Sequence, residues 1–176
     1  MAQRTANLLK DAGVSCDIDF NRGLDHGAWV PMKLMYPEED IPVYQLSIQA
    51  HMDPEKHHAI GKYLESLRYH GVLILGSGGS VHPLGYATLR PGDKTDQWAL
   101  DFDKWLTESI NNGDDHAIKG YRQIAPYPER AHPYPDHFMP LVTCRGAEGK
   151  GSKGDMIHKS WLWGDLGMGA YEFGTK

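Results

Sequence analysis

Two cysteines in 176 residues, Cys16 and Cys144, are too few for a disulfide framework. They predict a reduced, cytoplasmic protein. No apolar run approaches the ~18 residues that a membrane span needs, so no membrane partner is expected. The polar stretch from Met1 to Gly13 lacks the apolar core of a signal peptide. Positive charge is not in excess: 18 Lys+Arg stand against 23 Asp+Glu, a formal net charge of −5. That balance offers no footprint for nucleic acid. Familiar catalytic signatures are also missing. Gly76-Ser-Gly-Gly-Ser80 is not followed by Gly-Lys-Ser/Thr, so it is no P-loop. Val81 stands where a dinucleotide fingerprint needs its third glycine. The absence of a Gly-x-Ser-x-Gly elbow argues against a serine hydrolase.

What is present is ordinary in bulk and unusual in detail. Hydrophobic content of 40% and charged content of 23% fit a globular protein. The length predicts a single domain over residues 1–176 with a substantial core. Ten histidines and five tryptophans are both high. His57, His58 and His70 read as surface positions, and Trp98, Trp105, Trp161 and Trp163 as core.

Along the chain, Ala6, Leu8 and Leu9 mark an early helix ending near Gly13. Val14 to Phe20, Ile41 to Ile48 and Val72 to Leu75 read as strands, the last buried on both faces. A short helix is expected over Trp29 to Tyr36. Asp53 and Pro54 supply a cap and a first-turn residue for the next helix. Its apolar stripe is Ile60, Tyr63, Leu64 and Leu67. Thr95 to Ile110 is a second amphipathic helix, stopped at Asn111-Asn-Gly113. Asp114 to Tyr121 predicts a shorter helix. Pro126 to Pro135 carries four prolines and reads as an extended loop. A helix from about Asp136 to Cys144 follows. Gly146 to Gly154 reads as a mobile loop, and Met156 to Trp163 with Gly169 to Phe173 as a terminal strand pair. Strands alternating with helices argue an α/β fold.

Three histidines sit in distinctive settings. His26 follows Asp25 and precedes Gly27, beside a carboxylate that could orient its ring; a turn with a solvated histidine is the plainer alternative. His82 follows the Gly76–Ser80 turn at the end of a strand, where open α/β sheets bind ligands; a packed loop is the alternative. His137 ends His132-Pro-Tyr-Pro-Asp-His137. The spacing is not that of a His-Glu-x-x-His zinc helix, so only one of the two histidines is expected to point inward, and His137 is preferred. Imidazole binds metals and moves protons near neutral pH. Cys144 reads as core.

Together these settings resemble the class III extradiol ring-cleaving dioxygenases, in their 4,5-DOPA dioxygenase-like branch. The matching stretches are Arg22-Gly-Leu-Asp-His-Gly-Ala-Trp29, Met35-Tyr-Pro37, Ile41 to Ser47, Gly76 to His82, and Pro133 to Leu141. Their order and spacing fit from about residue 2 to residue 145. The resemblance implies an α/β fold with a central mixed sheet flanked by helices. It implies a mononuclear Fe(II) site, sometimes Zn(II), that takes a catechol and O2 and opens the ring beside the diol. By position, His137 corresponds to a metal ligand, and His82 to a catalytic base or a further ligand. His26 corresponds to a pocket histidine touching substrate or oxygen, with Gly78 and Ser80 in the substrate-binding turn. The family's first two metal histidines lie in a His-Gly-Ser-Pro loop and a Ser-Ala-His-Trp strand end, and neither motif occurs here. The expectation is a chain lacking the N-terminal portion of the family fold. A homo-oligomer stays open. So do two other readings, a non-catalytic remnant that only binds, and an unrelated zinc hydrolase. His26, His82 and His137 are expected to gather within about 10 Å, the span of one ligand-sized site.

Overall fold

Helices begin where the sequence provides caps. The computed structural model describes residues 1–85, 94–149 and 152–174. After α1 (Ala2–Asp11), the Asp25 carboxylate accepts from Ala28 N and starts α2 (His26–Met35). Asp53 accepts from the Glu55 and Lys56 amides, and Pro54 fills the first turn of α3 (Pro54–Arg68). α4 (Gln97–Asn112) ends at Gly113, whose φ of 67° is left-handed, as a helix stop requires. Short helices α5 (Asp115–Lys119), α6 (Tyr121–Ile124) and α7 (Pro128–Ala131) lead to a 3-10 turn at Pro135–His137 and to α8 (Met139–Ala147). Strand β1 (Gly154–His158) pairs antiparallel with β4 (Ala170–Phe173), and β2 (Trp161–Leu162) pairs with β3 (Leu166–Gly167).

Two apolar clusters hold these elements. The larger joins Trp98, Phe102, Leu106 and Ile110 of α4 to Tyr121, Phe138, Met139 and Val142. The smaller joins Leu9 of α1 to Ile60, Leu64 and Leu67 of α3, with Val14, Cys16, Val72 and Ile74 packed against it. Between them α3 crosses α8 at backbone contact. A Cβ on Gly61 would lie 2.0 Å from the Thr143 carbonyl oxygen, and one on Gly146 2.1 Å from that of His58. Arg145, fully buried, reaches Asp115 at 2.9 Å, the Gly113 carbonyl at 3.2 Å and the Glu148 carboxylate. Arg68 donates to the carbonyls of Ala147 and Glu148, which a helix C-terminus leaves without partners.

The α/β assignment holds, with a difference in the strands. Residues 14–20, 41–48 and 72–76 run outside any ladder among the described residues. Alternate side chains still obey the strand period: Val72 and Ile74 face the helices, while Leu73 and Leu75 are 67% and 46% exposed. Leu46 and Ile48 are likewise exposed.

Other expectations are corrected. His57 and His58 are buried: His57 accepts from the Gln49 amide, and His58 lies 3.4 Å from Asp115. Tyr63 faces solvent at the edge of the α3 stripe, and Trp163 is exposed on a tight turn with φ of 55°. The α2 helix starts at His26 and runs through Pro31. The proline-rich stretch contains α7, because Pro128 suits a first helical turn. α8 runs through Gly146 to Ala147, since that glycine packs on α3; residues 150–151 of the expected loop lie outside the described residues.

Candidate active site

The glycine-rich turn brings two of the three histidines face to face. Gly76 and Gly78 lie two residues apart, so they share one side of the extended segment. Gly76 is pressed against the start of α8 and Gly78 against the 3-10 turn before it. A Cβ on Gly76 would meet the Pro140 carbonyl oxygen at 2.8 Å, and one on Gly78 would meet that of His137 at 2.2 Å. Only glycine permits this approach. It places the Gly79 amide 3.0 Å from His137 Nδ1, to which it donates. Beyond the turn, Ser80 is buried, with its amide bonded to the Gly167 carbonyl and its hydroxyl accepting from the Gly169 amide. His82 is then fixed by its own amide, which donates to the Ala131 carbonyl at 2.9 Å. Its ring stacks on that of His137, centroids 3.5 Å apart and planes 6° from parallel.

His26 sits in the first turn of α2. It is exposed, yet near enough for its charge to help depress the pKa of His137. Asp25 does not orient the His26 ring. Its carboxylate is taken by Gln45, by the Ala28 amide and by Arg22 at 3.5 Å, and the Gln45 bond chiefly lowers its pKa.

Contrary to the expectation that only one histidine of the His132–His137 pair points inward, His132 is wholly buried. Its Nε2 donates to the Ser80 carbonyl at 3.0 Å, and its ring packs among Phe102 and Phe138. Burial holds its pKa down at about 3, so the ring is neutral. This residue secures the turn that carries His82. The bond spans 52 residues of sequence, so no local pattern announces it.

Burial first, then the charge of His82, lowers the pKa of His137, while Asp136 opposes the shift. His137 is therefore neutral near pH 7. Because its Nδ1 accepts from Gly79, its single proton sits on Nε2. The Cys144 thiol is raised to about 11 by burial, which leaves it a packing group.

This donor set does not by itself fit an Fe(II) or Zn(II) centre. A metal lies in the plane of each imidazole that binds it, ~2.0–2.1 Å from nitrogen. Two nearly parallel planes separated by a 3.5 Å stack share no such point. His137 moreover presents an N–H, not a lone pair, at Nε2. No group of three or more His, Cys, Asp or Glu that could hold an ion occurs among the described residues.

Known proteins place the chain. A "4,5-DOPA dioxygenase extradiol" of Beta vulgaris is 45% identical over 174 residues, covering 98% of this chain and 65% of that protein. A protein of the same name from Escherichia coli K12 is 31% identical over 150 residues, 84% of this chain and 55% of that one. The crystal structure of the uncharacterized protein JW3007 from Escherichia coli K12 superposes with a TM-score of 0.82 at 28% identity, covering 96% of this chain and 70% of that one. The chain thus spans about two thirds of the length of its plant relative. Residues 1–174 match the family model described as the catalytic LigB subunit of aromatic ring-opening dioxygenase, and the chain belongs to that family.

Proposed function

We propose that this chain carries one side of an extradiol-type site, which opens a catechol beside its diol with O2. The stacked His82–His137 pair on the glycine turn is the observation that supports the reading. In this reaction class a non-haem Fe(II) would supply the oxygen chemistry; Zn(II), which has no redox change to offer, could only occupy such a site. His82 takes the proton of a catechol hydroxyl, since a neutral imidazole works as a base near physiological pH. His137 donates from Nε2 to a substrate oxygen in the arrangement seen here, and turns to ligate only if it releases Gly79. His26 approaches from α2 and hydrogen-bonds the substrate or oxygen. Gly78 and Ser80 shape the wall through their backbone. Two free thiols accord with a cytoplasmic setting.

The donor geometry favours a second statement: alone, these 176 residues bind iron weakly and turn over little. The experiment is anaerobic Fe(II) titration, followed by oxygen uptake with a dihydroxyphenyl substrate and by NMR of the histidine rings. Weak iron binding, little uptake and catechol-dependent shifts at His26, His82 and His137 are expected. Tight one-to-one iron with robust ring opening would overturn the second statement. Ring signals indifferent to catechol would remove the substrate assignment and leave a non-catalytic remnant.

A further inference from the structure

Helix α2 carries His26 in its first turn, yet packing does little to place it. None of its ten residues is buried. Gly27 lies near the glycine turn, where a Cβ would stand 3.8 Å from Ser77 Oγ. Polar contacts must therefore do much of the holding. Among the described residues, two hydrogen bonds tie α2 and its cap to a distant part of the chain, and both involve Gln45.

The Asp25 amide donates to Gln45 Oε1 at 3.2 Å, and Gln45 Nε2 donates to Asp25 Oδ2 at 2.5 Å. A backbone amide only donates and a carboxylate only accepts, so the Gln45 amide has one orientation that suits both. The other carboxylate oxygen, Oδ1, accepts from the Ala28 amide and caps the helix. The Gln45 bond is also the chief cause of the lowered pKa of Asp25. It keeps the cap charged, as a helix N-terminus favours.

The segment that carries Gln45 is anchored on both sides. The Tyr44 hydroxyl meets that of buried Thr5 of α1 at 2.9 Å. The Gln49 amide donates to the buried His57 of α3 at 3.1 Å. The packed α1–α3 pair thus reaches His26 through this segment, then Gln45, then Asp25.

The geometry points to Gln45 as a positioning residue for His26: its side-chain amide grips Asp25 at two points and so sets where the first turn of α2 stands beside the glycine turn. The inference rests on the proposed ring-opening reading only in treating His26 as a substrate-facing residue.

The test exchanges donor and acceptor. Gln45→Glu keeps the shape and the acceptor for the Asp25 amide, but sets carboxylate against carboxylate. Asp25→Asn keeps a capping side chain and sets amide against amide. The two together restore one donor facing one acceptor, with the roles reversed. The readouts are NMR of the histidine rings and hydrogen exchange at Ala28 and Trp29, whose amides bond to Asp25. Gln45→Glu should speed that exchange about threefold or more and displace the His26 signals, with α3 unchanged. The double variant should return both toward the parent. With a catechol added, Gln45→Glu should lose the shift at His26 and keep those at His82 and His137.

Unchanged exchange and His26 signals in Gln45→Glu would overturn the proposal, as would a double variant no nearer the parent than the single ones. So would a catechol shift that persists at His26 or vanishes at all three rings. Should Gln45→Glu fail to fold, rescue by the double variant still decides. If the unaltered chain gives no catechol response at any ring, the ring-opening reading falls, while exchange and rescue still test the hold of Gln45 on α2.

Discussion

His137 lies flat on His82 at 3.5 Å, while the Gly79 amide holds its Nδ1 from the other side of the turn. Stacking uses the ring of His82 and ignores its nitrogens. Nδ1 of His82 is in fact buried without a hydrogen-bond partner among the described residues. Such an orphan costs about 1–3 kcal/mol. His82→Phe should keep the stack and remove the orphan. We expect equal or higher stability by urea unfolding. A loss of more than about 2 kcal/mol would show that the imidazole nitrogens serve folding, against a role in chemistry.

Gly78→Ala tests how the turn builds this stack. The new methyl would lie 2.2 Å from the His137 carbonyl oxygen, a backbone atom that cannot swing aside. About 3 kcal/mol of destabilisation is expected, with displaced His137 ring signals in NMR. Gly23→Ala is the control, since nothing lies within 4 Å of that site. It should change stability by less than about 1 kcal/mol.

The parts of this arrangement that are local were legible in the sequence. Asp53-Pro54, Asn111-Asn-Gly113 and the i, i+3, i+4 apolar spacings place α3 and α4 to within two residues. The glycine turn before His82 declares itself by composition alone. What escaped depends on contacts far apart in the chain. His57 and His58 look solvated because their neighbours are polar, and only the packing of α3 on α5 and α8 buries them. His132 looks like part of a proline-rich loop, yet Phe102 and Phe138 enclose it. The segments 14–20, 41–48 and 72–76 have strand composition, but composition cannot say whether a neighbour is present to complete the ladder.

Arg145 is the largest fully buried side chain, wedged against Asp115 and Glu148. Its removal leaves carboxylates facing a low-dielectric interior without their cation. Arg145→Met should therefore cost about 3–5 kcal/mol. Adding Glu148→Leu should recover part of that loss, because burial already raises the pKa of Glu148 against the pull of Arg145. Denaturant titration of the single and double variants measures the difference. A single variant as stable as the parent would show that the network contributes nothing net.

His132 should dominate the acid limb of stability. Its folded pKa of about 3 lies below the ordinary histidine value of 6.5. The unfolded chain therefore binds a proton more readily than the folded one between those limits. The contribution is full above pH 6.5 and is lost as pH falls toward 3, at roughly 1.4 kcal/mol per pH unit. His132→Phe removes this dependence but leaves the Ser80 carbonyl without its donor. At pH 7 the variant should be less stable by about 1–3 kcal/mol. Near pH 5 the parent has lost about 2 kcal/mol from this group, so the two curves should cross there. Urea unfolding from pH 4 to 8 reads the crossing directly. Parallel curves over that range would mean that His132 carries its proton in the folded protein, and the neutral ring assigned to it would be wrong.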